Sequence, residues 1–589
     1  MRMERGYSSA SNGILDGLSM KSLFYIILIG IFNVTNIGAE DITVAYTNAK
    51  IFTSDNQMPW ASAVVVKNDK IIYVGDDLSA LNFVNPGSKI VNVNGKLILP
   101  GLTDAHTHPG MVAVSHDFLD MEIVQDRDSL LQNITDMIAD NSEREFILGG
   151  YWDNGVFGQS GPRKEDLDKI ESERPVVLFD YWAHSIWTNS RALEVAGINR
   201  DTPDIIPGFS FYQRDESGDL TGWITESAMS IFVNNFISIT PAVENQLENF
   251  LIYLRNLGVT TLLDAGNFGI DDETYAALSR LDKAGRLPIR YHGSFTLFLP
   301  QDYETAINQV KTLNKKYGSD RLRIDTLKIF HDGVIETRTA DMFDDYLDTP
   351  GNSGDSLFSE EQLHELIIGL SKEQINLHIH SVGDKSTNKI LNAIERAHKT
   401  LDGPPPIQIA ICHLETVLDT DFYRFKDLGV IASFTPAWHG NVADHNTVAA
   451  IGDKALLQMR AQPMIADDAV ITFSSDITSV QGWMDEQANP YHGMQIGHNR
   501  QPVEGDSNAR YAPPRSERIR LDTLVHGYTI NGAQQLGRSD ELGSIEIGKQ
   551  ADLVIMNQNL FDVDRYDVHK TKPKAVIMNG ELVYGSLDF

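Results

Sequence analysis

Hydrophobic and polar positions along this chain fall into two rhythms. From residue 42 to residue 100, short β-branched runs alternate with Asn, Asp and Gly at 43–47, 62–66, 70–75, 89–93 and 95–100. Such runs predict antiparallel strands. The C-terminal end repeats the pattern at 543–555 and 574–584. A small β-sandwich domain is therefore expected from residues 40–100 together with 541–589.

The second rhythm alternates helix with buried strand. Thr240 and Pro241 supply an N-cap and a first-turn proline, a helix runs to about Leu257, Gly258 stops it, and strand 259–264 follows. Ser359-Glu-Glu-Gln362 is a capping box, and Leu363, Leu366, Ile367 and Leu370 form one apolar stripe leading to strand 376–380. Helices around 387–399 and 419–428 precede strands 407–413 and 430–434, and a further helix precedes 470–476. This alternation means a parallel sheet, and the number of units predicts an α/β fold, a (β/α)8 TIM-like barrel over residues 101–540 whose first strand is 99–108. After that strand, about 116–239 lack the rhythm and are rich in aromatics, such as Tyr151-Trp-Asp and Tyr181-Trp-Ala-His-Ser-Ile-Trp187. An insertion there would hang over the barrel mouth and line a pocket, unless its aromatics simply build its own core.

Composition narrows the setting. A chain of 589 residues has room for several structural units, and a formal charge of −32 argues against nucleic acid or an anionic membrane surface as partner. Met20-Lys21, the apolar run 23–32 and the small residues ending at Ala39 read as a signal peptide, so residues 1–39 are expected to direct export to the periplasm or the exterior. Left uncleaved, the segment would be a membrane anchor, and Met20 is an alternative start. The single cysteine, Cys412, leaves no internal disulfide.

Chemistry enters at the strand ends. Alternate side chains of a strand share a face, so His106 and His108 project together from Cα atoms about 7 Å apart. Paired imidazoles suit zinc and related divalent ions, although one His-X-His also arises by chance. Lys328 lies inside an apolar run, where an amine is costly unless partnered or modified. A second His-X-His, His378 and His380, ends another strand, His413 a third and Asp476 the last. Each alone reads as a satisfied core group; together they place imidazole, amine and carboxylate at one barrel mouth.

Pro100-Gly-Leu-Thr-Asp-Ala-His-Thr-His108, His380-Ser-Val-Gly-Asp384, His413, Ser475-Asp476 and the closing 543–554 segment resemble the metal-dependent amidohydrolase superfamily. Asp332-Gly-Val-Ile-Glu-Thr-Arg-Thr-Ala340, Ala183-His-Ser-Ile-Trp-Thr-Asn-Ser-Arg-Ala-Leu193 and Tyr151-Trp-Asp are similar to its family 3 branch, which includes N-substituted formamide deformylase. The resemblance implies His106, His108 and Asp476 on a first metal, Lys328 as a bridging Nζ-carbamate, and His380 and His413 on a second. It implies one or two divalent ions, zinc foremost, with Asp476 also the proton acceptor for an attacking water. His378 shares a strand face with His380, and the position beside Ser-Val-Gly-Asp favours His380. Tyr151, His184, Arg338 and Thr339 are candidates for substrate contact, and His331 either touches the pocket or stands behind the residues that do. The expected activity is hydrolysis of a non-peptide C–N bond in an amide-like small molecule, with a homodimer suggested by the resemblance. A lactonase or esterase is the alternative. A non-catalytic binding protein would have lost a ligand, and none is lost.

Overall fold

Eight parallel strands joined edge to edge form the centre of the molecule: β1 Leu102–Thr107, β2 Val259–Asp264, β3 Arg290–Leu297, β4 Leu322–Phe330, β5 Asn376–Ser381, β6 Ile409–His413, β7 Ile431–Phe434 and β8 Ile471–Phe473. In this computed structural model the described residues are 42–589 except 125, 182, 441–444 and 481–486, with the side chain at 159 also set aside. The expected signal segment lies outside them. Each strand pairs in parallel with its neighbour, and the sheet curls into a nearly closed barrel. The β1–β8 seam has no ladder. It is tied just beyond β8, where Asp476 N–H donates to the His106 carbonyl (2.8 Å) and His108 N–H to that of Ile477 (3.2 Å).

The helices follow from local chemistry. Thr240 accepts from Val243 N–H (3.2 Å), and Pro241–Asn256 buries Leu247, Phe250, Leu251 and Leu254. Glu360–Glu373 opens on the expected capping box, and its stripe is buried. Asp384–Leu401 runs longer than the expected 387–399. At 419–428 only Arg424–Asp427 is helical, because the Asp421 carboxylate is held by Asn388 (2.9 Å) and Arg424 (3.0 Å), which pins the preceding turn.

Three sequence expectations need revision. Strand 99–108 is two strands, because the chain changes sheet at Gly101, where a Cβ would lie 2.3 Å from Thr260 Oγ1. Strand β3 went unforeseen, since Arg290, His292, Ser294 and Thr296 interrupt its apolar pattern; all are buried, Arg290 in an ion pair with Asp552. The terminal sheets are mixed rather than antiparallel. After the hairpin Ala63–Lys67/Lys70–Gly75 the chain returns so that Lys89–Asn92 lies parallel to Thr43–Thr47, and Lys50–Phe52 is parallel to Leu97–Pro100.

The four-stranded N-terminal sheet and a six-stranded sheet drawn from both chain ends share one core, with Val64 and Val66 of the first against Ile98, Leu553 and Ile577 of the second. Residues 119–225 form a further six-stranded sheet, ordered Tyr212–Arg214, Leu220–Thr225, Ser185–Thr188, Val176–Asp180, Ile147–Trp152 and Leu119–Asp120. Trp152 and Trp187 are wholly buried in its own core with Ile134 and Leu178. Tyr151 and His184 instead line the large cavity over the barrel mouth.

Candidate metal centre

Three ligand atoms meet at the β1–β8 seam. His106 Nε2 and His108 Nε2 lie 3.3 Å apart, and each is 3.3 Å from Asp476 Oδ1. Metal–ligand bonds of about 2.0–2.1 Å at tetrahedral angles put neighbouring ligands about 3.3–3.4 Å apart, so this triangle has the size of one face of a zinc site. His108 Nδ1 donates to the Gly266 carbonyl (2.9 Å), which leaves its Nε2 bare. His106 Nδ1 is 3.0 Å from His378 Nε2, and in the tautomer that donates this proton its Nε2 is bare as well. Two lone pairs and a carboxylate oxygen then face one another, an arrangement that calls for a cation between them.

Backbone and burial maintain that state. Gly266 N–H donates to Asp264 Oδ1 (3.1 Å), which fixes the carbonyl that orients His108. Gly266 has φ +132°, and a Cβ there would meet Thr296 Oγ1 at 2.6 Å. Asp104 Oδ1 accepts from Ser475 N–H (3.0 Å) and His106 N–H (3.3 Å), locking the two sides of the seam; burial pushes its carboxyl up to about 6. Burial first, then the Lys328 amine, holds His106, His378 and His413 well below the ordinary histidine range. Burial and the neighbouring His413 do the same for His380. These four imidazoles are neutral, the form that binds metal.

A second group lies beside the first. His413 Nδ1 is 3.5 Å from Asp476 Oδ2, and the His380 and His413 rings lie 4.5 Å apart. His380 Nε2 is 3.2 Å from the Gly333 carbonyl, leaving Nδ1 for a ligand. Lys328 is fully buried, its Nζ 3.4 Å from Cys412 Sγ and 4.8 Å from the centre of the Phe330 ring. Strand register puts Lys328 beside His378. His378 contacts the rear of His106, on the side away from Asp476, whereas His380 lies beside His413. Asp476 and His413 have φ of +49° and +76°, the left-handed region that non-glycine residues enter at a cost, often at functional sites.

The segment between β1 and β2 adds a charged pair. His184 Nδ1 is 2.8 Å from Glu226 Oε2, and Glu226 Oε1 accepts from Thr339 Oγ1 (2.9 Å). Burial alone would lower the imidazole's pKa, but the Glu226 carboxylate outweighs it and pushes His184 up to about 9. The His184 ring lies 5.2 Å from that of His380. Both residues line a cavity of about 1080 Å³ that also reaches His106, His108, His413 and Asp476.

Of the other substrate-contact candidates, Tyr151 lines this cavity and Thr339 is buried behind Glu226. Arg338 is turned away, paired with Asp348 and bonded to the carbonyls of Ile335 and Glu336. His331 is buried off the cavity with neither ring nitrogen hydrogen-bonded. Sequence reasoning missed Glu226, Asp104 and Gly266. Asp104 stood within a motif already singled out and Glu226 within the aromatic-rich segment 116–239, but Glu226 meets His184 42 residues away and Asp104 meets Ser475 across the seam.

The chain matches the amidohydrolase family over residues 89–584. It is 29% identical over 440 residues to the exoenzymes regulatory protein AepA of Pectobacterium carotovorum, covering 72% of this chain and 93% of that one. It is 24% identical over 559 residues to the N-substituted formamide deformylase of Arthrobacter pascens, covering 91% and 97%. An uncharacterized metal-dependent hydrolase from Pyrococcus furiosus superposes with a TM-score of 0.63 at 25% identity, over 88% of this chain and 99% of the other. The chain belongs to the amidohydrolase family.

Proposed function

We propose that this amidohydrolase-family chain is an exported, zinc-dependent hydrolase that cleaves a non-peptide C–N bond in an amide-like small molecule. The observation that carries the reading is the triangle of His106 Nε2, His108 Nε2 and Asp476 Oδ1, 3.3 Å on each edge. A divalent ion held there supplies Lewis acidity, which draws the pKa of a water toward neutrality and polarises a carbonyl.

The protein's residues carry the remaining steps. Asp476 accepts the proton of the attacking water and returns it to the leaving nitrogen. His184, its Nδ1 held by Glu226, offers Nε2–H to the carbonyl oxygen as negative charge builds there. Lys328 is carboxylated: CO2 adds to Nζ with loss of one proton, turning a buried amine into an anionic oxygen ligand. With that oxygen, His380 and His413 would hold a second ion. Met111, Phe118, Phe179, Phe268 and Phe330 line the cavity and favour an apolar substituent on the substrate. The name of the Arthrobacter relative supports an N-substituted amide. Residues 1–39 direct export, the sheets of 40–100 and 541–589 form a supporting β-sandwich, 116–239 is an insertion over the barrel mouth, and two copies form a homodimer.

The test is a panel of N-formyl, N-acyl and cyclic amides, lactones, esters and dipeptides, assayed on full-length protein with zinc or manganese restored. Turnover of an amide that chelation abolishes is expected. Turnover of lactones or esters alone would move the reading to a lactonase or esterase, and turnover of dipeptides alone would contradict the non-peptide assignment.

A further inference from the structure

A second cavity, of about 620 Å³, lies beyond the wall of the first and carries the opposite charge to the rest of the molecule. Arg510, Arg515, Arg518 and Arg565 line it in a chain with 49 basic and 81 acidic residues. Among the described residues, none of the four has a carboxylate within salt-bridge distance. With so many acids available, four arginines left unneutralised in one concavity is not what average surface composition produces.

The cluster is pre-arranged. Arg518 Nε donates to the Asn499 carbonyl (2.8 Å), Arg565 Nε to Asn499 Oδ1 (2.6 Å) and another Arg565 nitrogen to the His498 carbonyl (3.1 Å). One asparagine thus staples two guanidinium groups. The guanidinium groups of Arg515 and Arg518 each lie 5.6 Å from the centre of the Tyr511 ring, which holds them side by side. Burial, then the charges of Arg565 and Arg515, lowers the Arg518 pKa, the mark of cations packed together without a counter-charge. Holding like charges so close is unfavourable unless an anion joins them.

We propose that this pocket is a binding site for a multivalent oxyanion of the phosphate class. Guanidinium forks bond such oxygens in pairs, and several forks facing one concavity suit three or four oxygens better than a single carboxylate. Arg510 and Ala509 line this pocket and the catalytic cavity alike, so the segment carrying them is the shared wall. The anion is therefore either the distal end of the hydrolysed substrate or a separate effector on the far side of that wall.

Calorimetric titration of the metal-loaded, full-length protein with inorganic phosphate and with pyrophosphate tests the site. Pyrophosphate is expected to bind more tightly than phosphate, and added salt to weaken both. An Arg510→Gln/Arg515→Gln variant with an unchanged melting temperature should bind about tenfold more weakly. His106→Ala should retain binding, which separates this site from anion capture at the metal centre. Competition between phosphate and an amide substrate assigns the oxyanion to the substrate's own tail, whereas binding without competition assigns it to an effector. No binding at millimolar concentrations, or binding unmoved by the arginine variant, overturns the proposal. The binding arms hold whether or not the chain hydrolyses amides.

Discussion

The barrel and the segment between β1 and β2 both bring histidine to the same cavity, in opposite charge states. At the strand ends, burial keeps His106 and His413 neutral, with lone pairs available. On the sheet between β1 and β2, His184 faces the cavity, and Glu226 pushes it up to about 9 and holds it cationic at neutral pH. One residue type thus serves two tasks, and the neighbour decides which. Neutral rings gather a cation, whereas an imidazolium held by a carboxylate meets developing negative charge.

This contrast makes graded predictions. The largest loss is expected for Asp476→Asn, which keeps an oxygen near the triangle but removes the proposed proton acceptor. Turnover should fall about a thousandfold while part of the metal remains, and kcat with metal content measured on the same sample checks it. A variant that lost metal and activity in proportion would show Asp476 to be a ligand only.

Glu226→Gln strikes the other side. It removes the charge that sustains the His184 imidazolium, and kcat should drop about a hundredfold with metal content unchanged and KM little altered. If metal were lost instead, the sheet between β1 and β2 would be supporting the metal face, and the division of labour would fail. Gly266→Ala should act on the barrel alone. By displacing the carbonyl that orients His108 it should weaken metal binding about tenfold, with kcat at saturating metal largely kept. His378→Ala, which removes the ring behind His106, is expected to give a smaller shift in the same direction, read by competition with a chelator.

Legibility in the sequence also divided along this line. The metal face was readable because it lies on strands or just past their ends: a period of two places His106 with His108 and His378 with His380, Lys328 is a charge inside an apolar run, and His413 and Asp476 each end one. Capped helices such as Glu360–Glu373 were readable for the same local reason. Strand β3 was not, because two of the polar side chains that break its apolar pattern are satisfied by groups far along the chain, Arg290 by Asp552 and Ser294 by the Asp264 carbonyl. The His184–Glu226 pair spans 42 residues and depends on a left-handed backbone at Glu226, φ +53°, where no glycine or asparagine marks the turn. Arg338 illustrates the converse, a charged residue in a suggestive motif whose partner, Asp348, turns it from the cavity.

The central claim is that His106, His108 and Asp476 hold a divalent ion. Elemental analysis of the purified full-length protein and of His106→Ala, each checked for an intact fold by circular dichroism, tests it most directly. The account predicts at least one zinc-class ion per chain in the native protein and its loss in the variant. A native protein that is folded, active and free of metal would contradict it.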